Sequence, residues 1–119
     1  VRVSELAEHI DKFRDDKHAP TAEAPLWLGH FLEKCSASWD WNVGAKFFQQ
    51  QLEAGRCTVL IDGLDETSAQ QRDGMLRLIE NIVAKYAQCR IIVTSRPAAN
   101  DSAEILAGFV HAKIEPLTE

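Results

Sequence analysis

No apolar run in this sequence approaches the roughly 20 residues that a membrane-spanning helix needs, and no signal-peptide pattern opens it. The three cysteines, Cys35, Cys57 and Cys89, form no CxxC pair and no zinc-type spacing with histidines. A disulfide framework or a zinc site is therefore a poor reading, and small buried thiols in a reducing cytoplasm are the better one. Basic charge is scarce: the net charge of −5 leaves no electrostatic footprint for nonspecific nucleic-acid binding. There is no internal repeat and no low-complexity tract. Hydrophobic residues at 45% and charged residues at 26% place the chain among globular domains and away from disorder. A length of 119 residues suits one domain with one core. Position 1 is not Met and the chain starts within an apolar run, so we expect a segment of a longer product.

What is present is organised around Thr58 to Glu66, TVLIDGLDE. Thr58, Val59, Leu60 and Ile61 make a short, mostly β-branched apolar run, and Asp62 follows at once. Such a run predicts a strand buried on both faces, as in a parallel sheet. A second run, RIIVTSRP from Arg90 to Pro97, repeats the design and ends in Thr94, Ser95 and Arg96. Parallel neighbours lie about 4.8 Å apart. The pairing would set three acids, Asp62, Asp65 and Glu66, against two hydroxyls and a guanidinium at the carboxyl edge. Open α/β sheets bind their ligands at that edge.

Along the chain, Val1 to Val3 alternates as a strand, and Ser4 can cap a helix from Glu5 to about Phe13. Pro25 can open a helix through Cys35 with Leu28, Phe31, Leu32 and Cys35 as its stripe, leaving His30 off the stripe and on the surface. Trp39 and Trp41 stand in a polar loop, either as a partner surface or as padding for the helices. Val43 to Leu52 reads as a helix with Val43, Phe47, Phe48 and Leu52 inward and Gly55 past its end. Thr67 or Ser68 caps the longest helix, to about Gln88, with Met75, Leu78, Ile79, Ile82, Val83 and Tyr86 in helical register. A short helix from Asn100 or Asp101 to about Ala107, a last strand from Phe109 to Ile114, and a helix start at Pro116 complete the order. Strands alternating with helices predict βαβ units: an α/β fold with a three-layer parallel sheet between helices.

The strand ends suggest a site for a metal ion and a phosphate. Asp62, beside buried residues, needs a positive or hydrogen-bonding partner. A Mg²⁺ bound to nucleotide supplies one through its waters. Asp65 and Glu66 precede a helix and gain from its dipole, but three acids in five positions repel one another without a cation. One of them can polarise a water that attacks a terminal phosphate. Thr94 or Ser95 can orient that water, and Arg96 can bind the phosphate and report its presence. A surface salt bridge is the plainer role for Arg96.

With those residues in view, TVLIDGLDE resembles the extended Walker B box of NACHT-type NTPases, and RIIVTSRP resembles their sensor-1 strand. These belong to the STAND class of P-loop ATPases, relatives of the AAA+ proteins. VRVSELAEHI is similar to the second strand of that sheet with its helix, and FVHAKIEPLTE to the strand and Pro-Leu turn after sensor 1. The resemblance implies that residues 1–119 are a partial P-loop NTPase core acting in an ATP-dependent signalling or oligomerisation switch, with nucleotide, self-association or neighbouring domains as partners. It implies Mg²⁺ on Asp62, water and metal positioning by Asp65 and Glu66, and γ-phosphate sensing by Arg96 beside Thr94 and Ser95. The departure is the phosphate loop. None of the six glycines precedes a lysine, so no GxxxxGK[ST] is present. The family carries that motif on a first strand upstream, in mid-sheet. We therefore expect weak or no ATP binding by these residues alone. Two other readings are a protein-interaction module on a degenerate NTPase fold, and a Mg²⁺-dependent phosphotransfer domain using Asp62, Thr94 and Lys113.

Overall fold

The computed structural model describes residues 1–97, 106 and 108–118. Helices α1 (Val3–Phe13), α2 (Leu26–Ser38) and α3 (Ala45–Glu53) come first. Strand β1 (Thr58–Ile61), a 3-10 turn (Leu64–Glu66), helix α4 (Ala69–Lys85) and strand β2 (Arg90–Val93) follow. The two apolar runs form the two strands. They pair in parallel, with Thr58 opposite Arg90 and Ile61 opposite Val93. Parallel neighbours need a long crossover, and the turn plus α4 supplies it. Ser68 caps α4 as expected, its hydroxyl accepting from the Gln71 N–H.

The expected strand at Val1 to Val3 is reduced to one parallel bridge between Arg2 and Asp62. The Asp62 N–H donates to the Val1 carbonyl at 2.8 Å, and the Val3 N–H donates to the Asp62 carbonyl at 2.9 Å. That second bond satisfies the first amide of α1, so the helix starts at Val3 without the cap predicted at Ser4. β1 thus lies between the N-terminal segment and β2.

One cluster of buried side chains holds the helices on the sheet. Val3, Leu6 and Ala7 of α1 meet Trp27, Leu28 and Phe31 of α2, and Met75, Leu78, Ile79 and Ile82 of α4. Val59 and Ile61 are the contribution of β1, and Leu52 that of α3. Alternation along each strand leaves the other face open: Leu60 is 57% and Ile92 44% exposed. This corrects the expectation of strands buried on both faces, since among the described residues only one face is covered.

Four further expectations are corrected. Phe47 points outward, and only Leu52 of the predicted α3 stripe is buried. Trp27, left off the predicted α2 stripe, is in the core with its indole N–H donating to the Thr21 carbonyl at 3.1 Å. The predicted strand Phe109 to Ile114 is not a strand, nor is Pro116 to Thr118 helical. Val110 and Ile114 are almost wholly exposed, and a strand without a neighbour leaves its backbone groups unpaired. The helix expected to end at Ala107 lies, apart from Leu106, outside the described residues.

Candidate functional site

The parallel register carries the two strand ends to one edge. Thr94 follows β2, and its N–H donates to the Ile61 carbonyl at 2.9 Å, extending the ladder by one bond. The Thr94 hydroxyl donates to Asp62 Oδ1 and accepts from the Gly63 N–H at 3.3 Å. The Thr94 carbonyl accepts from the Gly63 and Leu64 N–H groups at 3.2 and 3.0 Å. Gly63, at φ +81°, turns the chain in a conformation that side-chain-bearing residues rarely adopt. The residue after β2 therefore braces both the acid after β1 and the turn that follows it.

Asp65 and Arg96 form the second pair. The Arg96 backbone N–H donates to Asp65 Oδ1 at 3.1 Å, and its Nε donates to Oδ2 at 2.8 Å. The Arg96 backbone N–H, then its guanidinium, hold the Asp65 carboxyl below the usual carboxylate range. The hydrogen bond to Asp65, with Glu66 adding a little, pushes Arg96 further up. The Asp65 side chain is 17% exposed and that of Arg96 80%, so the pair has one anchored and one open partner. Glu66 bends back over the turn: a Cβ on Gly63 would lie 2.9 Å from Glu66 Oε2.

Asp62, Asp65, Glu66, Thr94 and Arg96 are thus together. Ser95 is at the edge but turned aside, its hydroxyl donating to the Arg96 carbonyl at 3.2 Å. The acids do not converge: among the described residues no group of three His, Cys, Asp or Glu side chains could hold a metal ion. The repulsion inferred from sequence is relieved instead by the Thr94 hydroxyl and Arg96. Asp62 is exposed with one oxygen engaged. A single carboxylate fits a Mg²⁺ that arrives on phosphate with its own waters, and does not fit a dedicated protein cage.

A second region departs from its sequence reading. Trp39 and Trp41 are 56% and 61% exposed, their rings 5.0 Å apart and tilted by 58°. They pad no helix. Asp40 and Asn42 between and after them take left-handed backbone, which these two residue types tolerate best. The Ser36 hydroxyl closes the loop on Val43, donating to its carbonyl and accepting from its N–H, both at 2.9 Å. His30 is not a free surface residue either. Its Nδ1 lies 2.7 Å from His9 Nε2, one ring nitrogen donating to the other.

The family model described as Nephrocystin 3, N-terminal matches residues 4–96, which include Asp62, Asp65, Glu66, Thr94, Ser95 and Arg96. That family, and not the NACHT family itself, is the one matched. No curated protein and no solved structure matches the chain.

Proposed function

This chain belongs to the family described as Nephrocystin 3, N-terminal, and on that premise we propose that it is the Walker B and sensor-1 part of a NACHT-like, STAND-class nucleotide switch. The observation that carries the reading is the shared edge. Two parallel strands end at the same edge of the sheet, where Thr94 is bonded to Asp62 and Arg96 to Asp65. In this reading Asp62 holds Mg²⁺ through waters, and the ion supplies charge neutralisation on the phosphates. Asp65 and Glu66 position water. Thr94 fixes the Asp62 carboxylate, and Arg96 senses the terminal phosphate. Its exposed guanidinium can exchange Asp65 for a phosphate oxygen. The uncovered sheet face at Leu60 and Ile92 supports a larger, three-layer P-loop NTPase core in the complete product. The glycine-rich loop that would complete the site is not among these 119 residues. The switch acts in the cytoplasm, by ATP-dependent self-association or docking of neighbouring domains.

Two measurements test this. Calorimetry on the 119-residue chain should show Mg-ATP binding weaker than millimolar, and micromolar affinity would contradict it. The open reading frame upstream of Val1 should encode a GK[ST] loop within about 40 residues, the span of one strand–loop–helix unit. Its absence would favour the second reading, a protein-interaction module on this scaffold, for which the exposed Trp39–Trp41 pair is the supporting observation.

A further inference from the structure

Cys57 and Cys89 stand at the far end of the sheet from Asp62, one residue before β1 and one before β2. Thr58 pairs with Arg90, so the same register continued back by one residue sets Cys57 across from Cys89. Neighbouring strands lie about 4.8 Å apart, inside the roughly 4.4–6.8 Å separation of Cα atoms that disulfides take. The surrounding backbone is in contact there. A Cβ on Gly55 would lie 2.5 Å from the Gln88 Cβ, and Cys89 Sγ donates to the Leu52 carbonyl at 3.2 Å. Both cysteines are free and half-buried. Burial, and then the neighbouring Cys89 thiol, push the Cys57 thiol up.

We propose that Cys57 and Cys89 are a dithiol pair that closes a reversible disulfide with a low-molecular-weight disulfide as oxidant, stapling the entry of β1 to the entry of β2. The thiolate of one cysteine attacks a sulfur of glutathione disulfide and expels one glutathione thiolate, leaving a mixed disulfide. The second cysteine's thiolate attacks the protein sulfur of that bond and expels the other glutathione. The two cysteine protons end on the two glutathiones. The protein pair loses two electrons and glutathione disulfide gains them. The bridge encloses β1, the Asp62–Glu66 turn and α4, and leaves Cys35 on α2 outside it. The raised Cys57 thiol makes closure slow at neutral pH and faster as pH rises.

The test is glutathione disulfide on the folded 119-residue chain carrying Cys35→Ser, followed by proteolysis without reductant and mass spectrometry. The expected result is a cross-linked Cys57–Cys89 peptide pair, loss of both free thiols, reversal by dithiothreitol, and a higher Tm for the oxidised form. Cys57→Ser should give only a glutathione adduct. Stable adducts on both cysteines without a cross-link, untouched thiols at high pH, or cross-links only between copies would each overturn the proposal. Should Cys35→Ser fail to fold, peptide mapping of the oxidised wild-type chain distinguishes the same outcomes.

Discussion

Acid should weaken this fold through one imidazole. His9 is 8% exposed between α1 and α2, ringed by Phe13, Trp27, Phe31 and His30 at centroid distances of 4.7 to 6.0 Å. Burial, then the positive potential of His30, Lys34 and Lys12, lower its pKa from 6.5 to about 4. Glu5 and Glu8 line the same groove and do not reverse the shift. The sign follows from proton uptake. Below 6.5 the unfolded chain binds a proton that folded His9 refuses until about 4, so stability is full above the unfolded value and falls as pH drops between the two. Between about pH 7 and about pH 5 the loss is about 2 kcal/mol, or on the order of 8 °C in Tm for a domain of this size. Thermal unfolding by circular dichroism across that range measures it, with His9→Phe as the comparison. The variant keeps an aromatic ring in the cluster and has no proton to take up. Wild type should lose about 2 kcal/mol more than the variant on acidification. Parallel pH profiles for the two proteins would rule out His9 as the acid-sensitive group.

Gly55→Ala should cost about 2 kcal/mol by chemical denaturation. Its φ of +69° disfavours a side chain, and the new Cβ would press on Gln88 at 2.5 Å; an unchanged midpoint would show that the contact is not real. Ile82→Ala, fully buried in α4, should cost about 2–5 kcal/mol by the same measurement. Trp39→Ala with Trp41→Ala should shift stability by less than about 1 kcal/mol, because both rings face water; a larger loss would mean that they brace the α2–α3 loop.

The elements nearest the candidate site were the most legible in the sequence. β1 and β2 read correctly because short β-branched runs ending in polar residues have few other solutions. Met75, Leu78, Ile79 and Ile82 of the α4 stripe read correctly because seventeen residues are enough for a helical period to declare itself, although the helix stops at Lys85, short of Gln88, and Val83 is only half-buried. The same runs could not report burial on one face against two, since Leu60 and Ile92 are as apolar as Val59 and Ile61. Their exposure depends on what packs over them, which is a tertiary fact. Phe109 to Ile114 misled for the related reason that β-propensity is a preference for a neighbour that local sequence does not supply. At the site, the grouping of Asp62, Asp65, Glu66, Thr94 and Arg96 followed from the parallel register alone. The pairing within it did not. That Thr94 braces Asp62, that Asp65 takes Arg96, and that Ser95 turns away depend on the left-handed turn at Gly63 and on side-chain rotamers. The His9–His30 bond was missed because the two residues are 21 positions apart on different helices. The only available sequence signal was that both sit beside aromatic positions of amphipathic helices.

If the edge formed by Asp62 and Arg96 is half of a nucleotide site, both side chains must matter once the other half is present. The direct measurement is Mg²⁺-dependent ATP turnover by a chain that joins these residues to an upstream GK[ST] loop, comparing wild type with Asp62→Asn and Arg96→Ala. Each substitution should leave Tm nearly unchanged and lower turnover by about tenfold or more, as loss of a preorganised charge does. Turnover equal to wild type in both folded variants would contradict the nucleotide-site assignment.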